Sequence, residues 1–304
     1  ALQEAGRPAD EIHESAIAAL DYLLEAQYDN GGWPQRYPLD GRSYHDYITF
    51  NDNSIRDVCR TMMDALDAYA DERYYQALTD CGDFIINAQL PAPQSSWAQQ
   101  YDADLRPGWA RRFEPPAVCT GEAYGVMRLL VEIAAFTGDD RYLEPLPAAM
   151  AWFESEDTVL EDGRRARFYE LKTNRPLYFY AETYRLTYDD SDTPTHYSFK
   201  GTYYGDTVRE QYEEIQEVGL KQWVAAGEAA RDLTREQQVA RAEGMEDNVR
   251  EVLDARTENG VWLRRGGYGG DDVMHLDMRT VQRNLNALSA YVGNATGFPG
   301  RGEE

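Results

Sequence analysis

Apolar residues recur at helical spacing through most of the chain. In residues 10–27 the apolar side chains of Leu20, Leu23 and Leu24 are three to four positions from their neighbours, so they share one face of an α-helix. The same spacing predicts helices over residues 53–69, 74–88, 120–136, 142–153, 207–231, 233–255 and 276–291. The chain is therefore predicted to be mainly α-helical, an array of antiparallel helical hairpins such as an α/α toroid.

Residues 162–204 interrupt the helical pattern. Phe168, Leu177 and Phe179 lie among polar neighbours, which predicts short strands or extended loops between the helices. Residues 189–192, Asp-Asp-Ser-Asp, resemble a fragment of a calcium loop but lack the glycine and terminal glutamate of an EF-hand. They are predicted to form an exposed acidic turn.

Aromatic and amide residues fill the loops that follow several helices. Residues 31–53 begin with Gly-Gly-Trp-Pro-Gln, residues 97–102 are Trp-Ala-Gln-Gln-Tyr-Asp, and a looser copy runs through residues 151–176. Equivalent loops of a helical repeat gather at one end of the fold. Side chains from these loops are therefore expected to meet, and the loop over 31–53 is expected to lie at the centre.

The formal net charge of −24 limits the partners of the chain. Among its 30 basic residues only Lys172, Lys200 and Lys221 are lysines. Such an acidic surface repels nucleic acid and anionic membranes, so neither is an expected partner. The composition also suits a saline habitat, where salt screens self-repulsion, with ordinary solubility as the alternative.

Further expectations concern domain organisation, oligomeric state and location. No change in composition marks a boundary, so we expect a single catalytic domain over residues 1–304, acting as a monomer. No apolar run approaches the roughly 18 residues of a membrane span. A secreted or periplasmic protein is expected, with any signal peptide already removed.

Several catalytic chemistries are disfavoured by the motifs. Cys59, Cys81 and Cys119 lie among apolar residues without metal spacing, so buried free thiols are expected, with one disulfide as the alternative. None of the four histidines pairs with another at zinc spacing. A phosphate-binding loop and a Gly-x-Ser-x-Gly turn are also missing, which disfavours nucleotide chemistry and serine hydrolysis.

Carboxylates remain as candidate catalytic or metal-binding groups. Asp52 either caps the following helix or binds a ligand, and the second interpretation is slightly favoured because Asn53 and Ser54 can both cap. Asp102 is either an exposed turn residue or a second carboxylate brought beside Asp52. Two carboxylates in a cleft favour calcium binding or glycoside hydrolysis.

Aromatic and basic residues add further candidates. Three tryptophans, Trp33, Trp97 and Trp109, are either core residues or sugar platforms, and core packing is the stronger expectation for each. Arg175, between Asn and Pro, forms either a surface salt bridge or part of a site. Arg279 is four residues from another arginine on one helix face, which suits a carboxylate-rich ligand or a solvated face.

Six segments, taken together and in order, resemble the family-ten pectate lyases. They are GGWPQ at 31–35, ITFNDN at 48–53, WAQQYD at 97–102, ARRFEP at 110–115, RFYELKTNRP at 167–176 and RTVQRNL at 279–285. The resemblance implies an α/α toroid-like fold and calcium-assisted β-elimination of polygalacturonate (pectate), which gives 4,5-unsaturated products.

The resemblance also implies roles for individual residues. Arg175 corresponds to the catalytic base, and Asp52 and Asp102 serve the calcium (Ca2+) site. Substrate binding falls to six residues, which are Asn53, Trp97, Gln100, Arg111, Asn174 and Arg279. Two alternatives stay open, a toroidal glycoside hydrolase with Asp52 and Asp102 as acid and base, and a non-catalytic binder of acidic polysaccharide.

The chain departs from the family pattern at three places, one of which is residues 116–119, Pro-Ala-Val-Cys, in place of a serine-rich stretch before a helix. Tyr101 stands where histidine is common. Residues 181–185, Ala-Glu-Thr-Tyr-Arg, replace a turn that usually contains glycine and arginine. These differences are expected to change substrate subsites more than the reaction type.

Overall fold

The structure is a computed structural model that describes residues 9–41, 43–231, 233–266 and 274–296. The chain forms two compact units, Ala1–Val224 and Ala225–Glu304, and each is described separately. The single catalytic domain over 1–304 stays a prediction. No described helix is both long and apolar enough to cross a membrane.

The described chain is mainly helical, as predicted. Its helices are α1 (Ala9–Ala26), α2 (Ser54–Tyr69), α3 (Glu72–Asn87), α4 (Thr120–Thr137), α5 (Leu146–Glu154), α6 (Thr207–Val218), α7 (Leu220–Arg231), α8 (Arg235–Asp254) and α9 (Met278–Thr296). The predicted helix over 207–231 is divided into α6 and α7, because Gly219 adopts φ +85°, which ends α6.

The strands are short and lie mostly between helices. They are β1 (Ile48–Thr49), β2 (Gln100–Tyr101), β3 (Ala117–Cys119), β4 (Arg165–Ala166), β5 (Phe168–Glu170), β6 (Pro176–Phe179), β7 (Leu186–Thr187), β8 (Lys200–Gly201), β9 (Leu263–Arg265) and β10 (Met274–Leu276). The prediction of short strands around Phe168 and Phe179 is confirmed by β5 and β6.

The core of the first unit surrounds α4. This helix buries side chains on most of its circumference, including Val126, Leu130 and Ile133. Packed beside it, α2 and α3 bring the Cys59 and Cys81 sulfurs to 3.3 Å in the interior. The predicted burial of the thiols is confirmed, since all three cysteines are buried and unbridged.

An antiparallel sheet positions the loops that matter for function. Its strand order is β3-β5-β6-β7, and β1 pairs with β2 so that Ile48 faces Tyr101. A bridge between Ala98 and Val118 joins the β1–β2 pair to β3. Because all neighbours are antiparallel, β1, β3 and β6 finish at one end of this sheet and β2, β5 and β7 at the other. We call these the Asp52 end and the Arg175 end.

The second unit is a pair of helices with a hairpin. Helix α8 begins with a capping box in which Thr234 and Gln237 bond reciprocally. The antiparallel hairpin β9–β10 lies between α8 and α9 in sequence. A cavity of about 460 Å³ is lined by Trp262, Arg283 and neighbouring side chains of this unit.

Candidate functional site

The loop before α2 holds Asp52 in a strained, exposed position. Asp52 (φ 54°) and Asn53 (φ 60°) are both left-handed, a conformation that costs of order 1 kcal/mol for each such residue. Asn53 makes no side-chain cap bond, and the Ser54 hydroxyl donates to the Thr49 carbonyl instead. Asp52 accepts a hydrogen bond from the Asn51 amide at 2.9 Å and stays exposed to solvent. The side chains of Asp52 and Asn53 are therefore available to a ligand.

A buried acid beside Asp52 orders Arg111. Glu114 is 1% exposed and accepts from the Arg111 guanidinium at 2.6 Å. Burial acts to raise the pKa of Glu114, but the hydrogen bonds and charge of Arg111 outweigh it and hold that pKa below its usual range. The bond to Glu114 raises the pKa of Arg111, and the negative charge of Asp52 adds to this increase. Arg111 is thus a fixed cation at the Asp52 end.

A second buried ion pair lies at the same end of the sheet. Glu122, in the first turn of α4, accepts from Arg167 at 2.6 Å, and both side chains are mostly buried. Burial raises the pKa of Glu122, and the charge of Asp52 also contributes to the increase. Arg167 lies over the Tyr197 ring at 4.7 Å. Asp52 therefore shares its surroundings with two acid–arginine pairs.

Sequence reasoning missed Glu114, Glu122 and Arg167. Glu114 and Arg167 lie inside the segments 110–115 and 167–176 that carry the family resemblance, which was the available signal. Glu122 follows the pattern of an ordinary acidic residue at a helix start, so it carries no distinctive signal.

Asp102 lies at the opposite end of the sheet from Asp52. Its Oδ1 accepts from the backbone N–H groups of Asp104 and Arg106, at 3.0 and 2.9 Å, and so closes its own loop. Since Ile48 faces Tyr101, Asp52 follows β1 at one end and Asp102 follows β2 at the other. At about 3.3 Å per residue, their backbones are on the order of 10 Å apart along the strands.

Arg175 lies in the turn between β5 and β6, at the Arg175 end. The turn is fixed by Gln94, whose amide donates to the Glu170 carbonyl at 2.8 Å and to Asn174 Oδ1 at 2.7 Å. The buried Trp152 indole also donates to Asn174 Oδ1, at 3.1 Å. Asn174 adopts φ 54°. Its amide oxygen accepts both of these hydrogen bonds and is therefore engaged within the protein. The amide holds the turn that presents Arg175.

The exposed Arg175 guanidinium lies 3.3 Å from the centre of the Tyr188 ring. Tyr188 donates to Glu170 at 2.6 Å, and the bonds from Thr173 and Tyr188 lower the pKa of Glu170. An aromatic face stabilises a cation. The Tyr188 ring therefore holds the Arg175 guanidinium in place.

Two of the predicted substrate contacts are wrong, because the side chains concerned are buried. Trp97 is 0% exposed and donates to the Ile85 carbonyl, and Gln100 is 2% exposed and donates to the Gly108 carbonyl. Neither side chain offers surface to a polymer, so both serve packing. Trp33 is also in the core, whereas Trp109 is 46% exposed.

Arg279 belongs to the second unit. It lies in the first turn of α9, where its side chain is exposed. The structure thus brings Asp52, Asn53 and Arg111 to one end of the sheet of the first unit and places Asp102 and Arg175 at the other.

The residues do not fit a calcium ion shared by Asp52 and Asp102. Calcium takes six to eight oxygen ligands. Within the described ranges, no three His, Cys, Asp or Glu side chains are grouped closely enough to hold a metal ion. Asp52 alone fits as a single exposed carboxylate ligand.

Comparisons with known proteins agree on one family. The family model of the pectic acid lyases matches residues 5–166, more than half of the chain. A search of curated protein sequences gives no match. An aspartate-to-alanine mutant of a family 10 polysaccharide lyase from Cellvibrio cellulosa, in complex with trigalacturonic acid, is similar at 28% identity and a TM-score of 0.55, covering 66% of this chain and 72% of that one.

A second structure of family 10 polysaccharide lyase from Cellvibrio cellulosa is similar at 26% identity and a TM-score of 0.53. It covers 66% of this chain and 71% of that chain. The family model and the two similar structures lead to one conclusion. This chain belongs to the pectic acid lyase family and is a polysaccharide lyase.

Proposed function

We propose that the protein is a pectate lyase that cleaves α-1,4-polygalacturonate by β-elimination and leaves 4,5-unsaturated ends. The carrying observation is the pectic acid lyase match together with the similar lyase solved in complex with trigalacturonic acid. The complete α/α toroid is part of the same proposal.

The difficult step is removal of the proton next to the sugar carboxylate. A carboxylate hardly acidifies its neighbouring C–H, so the site must neutralise charge as it develops in the transition state. Arginine suits this task because its planar fork binds a carboxylate with two hydrogen bonds. Arg175 lies at the other end of the sheet, so Arg111, ordered by Glu114, is proposed to bind the carboxylate of another uronate of the same polymer, beside Asp52 and Asn53.

Arg175 is proposed as the base. The Gln94–Asn174–Trp152 hydrogen bonds hold its turn, so the guanidinium is presented on a rigid element. An arginine side chain is generally protonated near neutral pH. Activity should therefore increase towards alkaline pH, where the free base becomes commoner.

Variants at this position test the assignment. Arg175→Ala should abolish turnover, because no other group takes the proton, while polygalacturonate binding falls by much less. An Arg175→Lys variant with nearly wild-type kcat would refute the assignment, because lysine does not reproduce the guanidinium geometry.

Calcium stays a prediction. If bound at Asp52, the ion would supply positive charge to a uronate carboxylate at that end of the sheet. Substrate and water would have to supply most of its ligands.

The deciding experiment is the ultraviolet absorbance of polygalacturonate incubated with the protein, with added calcium or with a chelator. Unsaturated ends absorb, so a rising signal supports the lyase. New reducing ends without absorbance would indicate a hydrolase, and retention of polymer without cleavage would indicate a non-catalytic binder. Equal rates with calcium and chelator would refute the calcium requirement without affecting the lyase.

A further inference from the structure

The turn that carries Arg175 has a structural counterpart at the Asp52 end of the sheet. The β5–β6 turn contains Thr173-Asn174-Arg175, and the β6–β7 turn contains Thr183-Tyr184-Arg185. Asn174 and Tyr184 both adopt φ 54°. In each turn the arginine N–H donates to the threonine hydroxyl at 3.3 Å. Arg185 is therefore presented from one end of β6 as Arg175 is presented from the other.

Tyr184 is an unusual residue for this position. A bulky side chain with φ near +54° is strained, and such strain concentrates at functional sites. The Tyr184 ring lies 4.0 Å from the guanidinium carbon of Arg112. The strained tyrosine thus forms a platform for an arginine.

Arg112 and Arg185 are exposed cations without acidic partners. Many arginines of this chain, including Arg73 and Arg141, pair with carboxylates within 3 Å. Arg112 instead lies on Tyr184, and Arg185 lies 5.3 Å from the centre of the Tyr180 ring. Neither forms an ion pair with any residue that the structure describes. In a chain of net charge −24, two unneutralised guanidinium groups that lie over the tyrosine rings of one turn indicate a carboxylate that comes from outside.

We propose that Arg112 and Arg185, oriented by Tyr184 and Tyr180, form a subsite that binds the carboxylate of a uronic acid residue in the polymer. The inference rests on the proposed function and deepens it. Both guanidinium groups lie beside a tyrosine ring and are exposed, and the planar fork of an arginine suits two-pronged recognition of a carboxylate.

The position of the subsite fits an extended polymer. Four residues of β6 separate the two turns, a span of about 13 Å at 3.3 Å per residue. Leu177, Tyr178 and Phe179 of β6 are buried, so a polyuronate held at Arg185 has to reach the Arg175 turn over the surface and not along the strand itself. The subsite binds a sugar away from the proposed base, so it is expected to affect binding rather than turnover.

The test compares Arg112→Gln, Arg185→Gln and the double variant with Arg128→Gln. Arg128 is an exposed arginine of α4, so this control changes the net charge equally. On long polygalacturonate each single variant should raise KM about ten- to hundredfold, the equivalent of losing a charged hydrogen bond, with kcat within twofold. The control should stay within twofold for both constants. A double variant whose KM is within twofold of wild type would overturn the proposal.

Substrate charge supplies a second control. On highly methyl-esterified pectin the carboxylates are masked, so the equilibrium binding of wild type and double variant should converge. A difference that persists on the neutral polymer would overturn recognition of a carboxylate. If the wild type forms no unsaturated product, the proposed function fails. Equilibrium binding of polygalacturonate to the same variants still tests the subsite.

Tyr184 variants test the orienting role. Tyr184→Phe keeps the ring face and should retain the wild-type KM. Tyr184→Gly suits the positive φ but removes the platform, so KM should rise as in Arg112→Gln. Wild-type KM in a folded Tyr184→Gly protein would show that the ring does not orient Arg112.

Discussion

The amide of Asn174 connects the turn that carries Arg175 to two other parts of the first unit. In Asn174→Ala, the indole of Trp152, which is 3% exposed, loses its acceptor, and Gln94 loses one of two acceptors for its amide nitrogen. A buried donor without a partner costs about 1–3 kcal/mol. Alanine at φ 54° adds roughly 1 kcal/mol, because asparagine tolerates the left-handed region better.

The expected loss in the free energy of unfolding is therefore on the order of 3 kcal/mol. For a domain of this size, 1 kcal/mol corresponds to about 2–4 °C in Tm, so thermal unfolding should shift down by roughly 6–12 °C. Circular dichroism at constant salt measures the shift. Asn174→Asp keeps the acceptor and should lose far less, and Asn174→Gly keeps only the backbone conformation and should fall between them.

The same variants separate a structural role from substrate contact. If the amide orders the turn, activity follows stability across the series, and kcat falls in Asn174→Ala because Arg175 is less well placed. If Asn174 contacts substrate, Asn174→Asp should lose activity while it keeps its Tm. An alanine variant that unfolds within 1 °C of wild type would refute the hydrogen-bond argument.

Two further predictions concern charge. Because the folded-state pKa of Glu114 is depressed, its pairing with Arg111 contributes stability above the unfolded pKa of about 4.3, and this is lost as pH falls through the folded value. Glu114→Gln should therefore narrow the difference in Tm between pH 7 and pH 3.5, and an unchanged difference would refute the pairing. The net charge of −24 predicts a Tm that rises as sodium chloride increases from 10 mM to 1 M, by screening of repulsion, and a flat profile would exclude a salt-adapted surface.

The apolar periodicity of the sequence was sufficient to predict the helices and most of the core residues. Residues such as Ile55, Cys59 and Met62 recur at three to four positions, and the structure buries all three. Such a pattern involves only residues that are close in sequence, so it can be read from one sequence alone. The division of residues 207–231 required knowledge of the backbone at Gly219, which the spacing does not contain.

The site depends on contacts that are distant in sequence. The register of Ile48 against Tyr101 separates Asp52 from Asp102, and no local pattern specifies that register. Trp97 carries the same signal whether it is a platform or a core residue, and burial decided between them. The bonds to Asn174 come from residues 80 and 22 positions away, so its structural role was not visible in the sequence.

The scarcity of lysine in this chain has a practical consequence for attaching the protein to a support. Lys200 is engaged by Asp190, while Lys172 is exposed in the turn that carries Arg175. Of the three lysines, Lys172 is within three residues of the proposed base, so amine-directed coupling modifies a side chain beside that base. With 54 acidic residues, carbodiimide coupling through surface carboxylates offers many more attachment points and spares that side-chain amine.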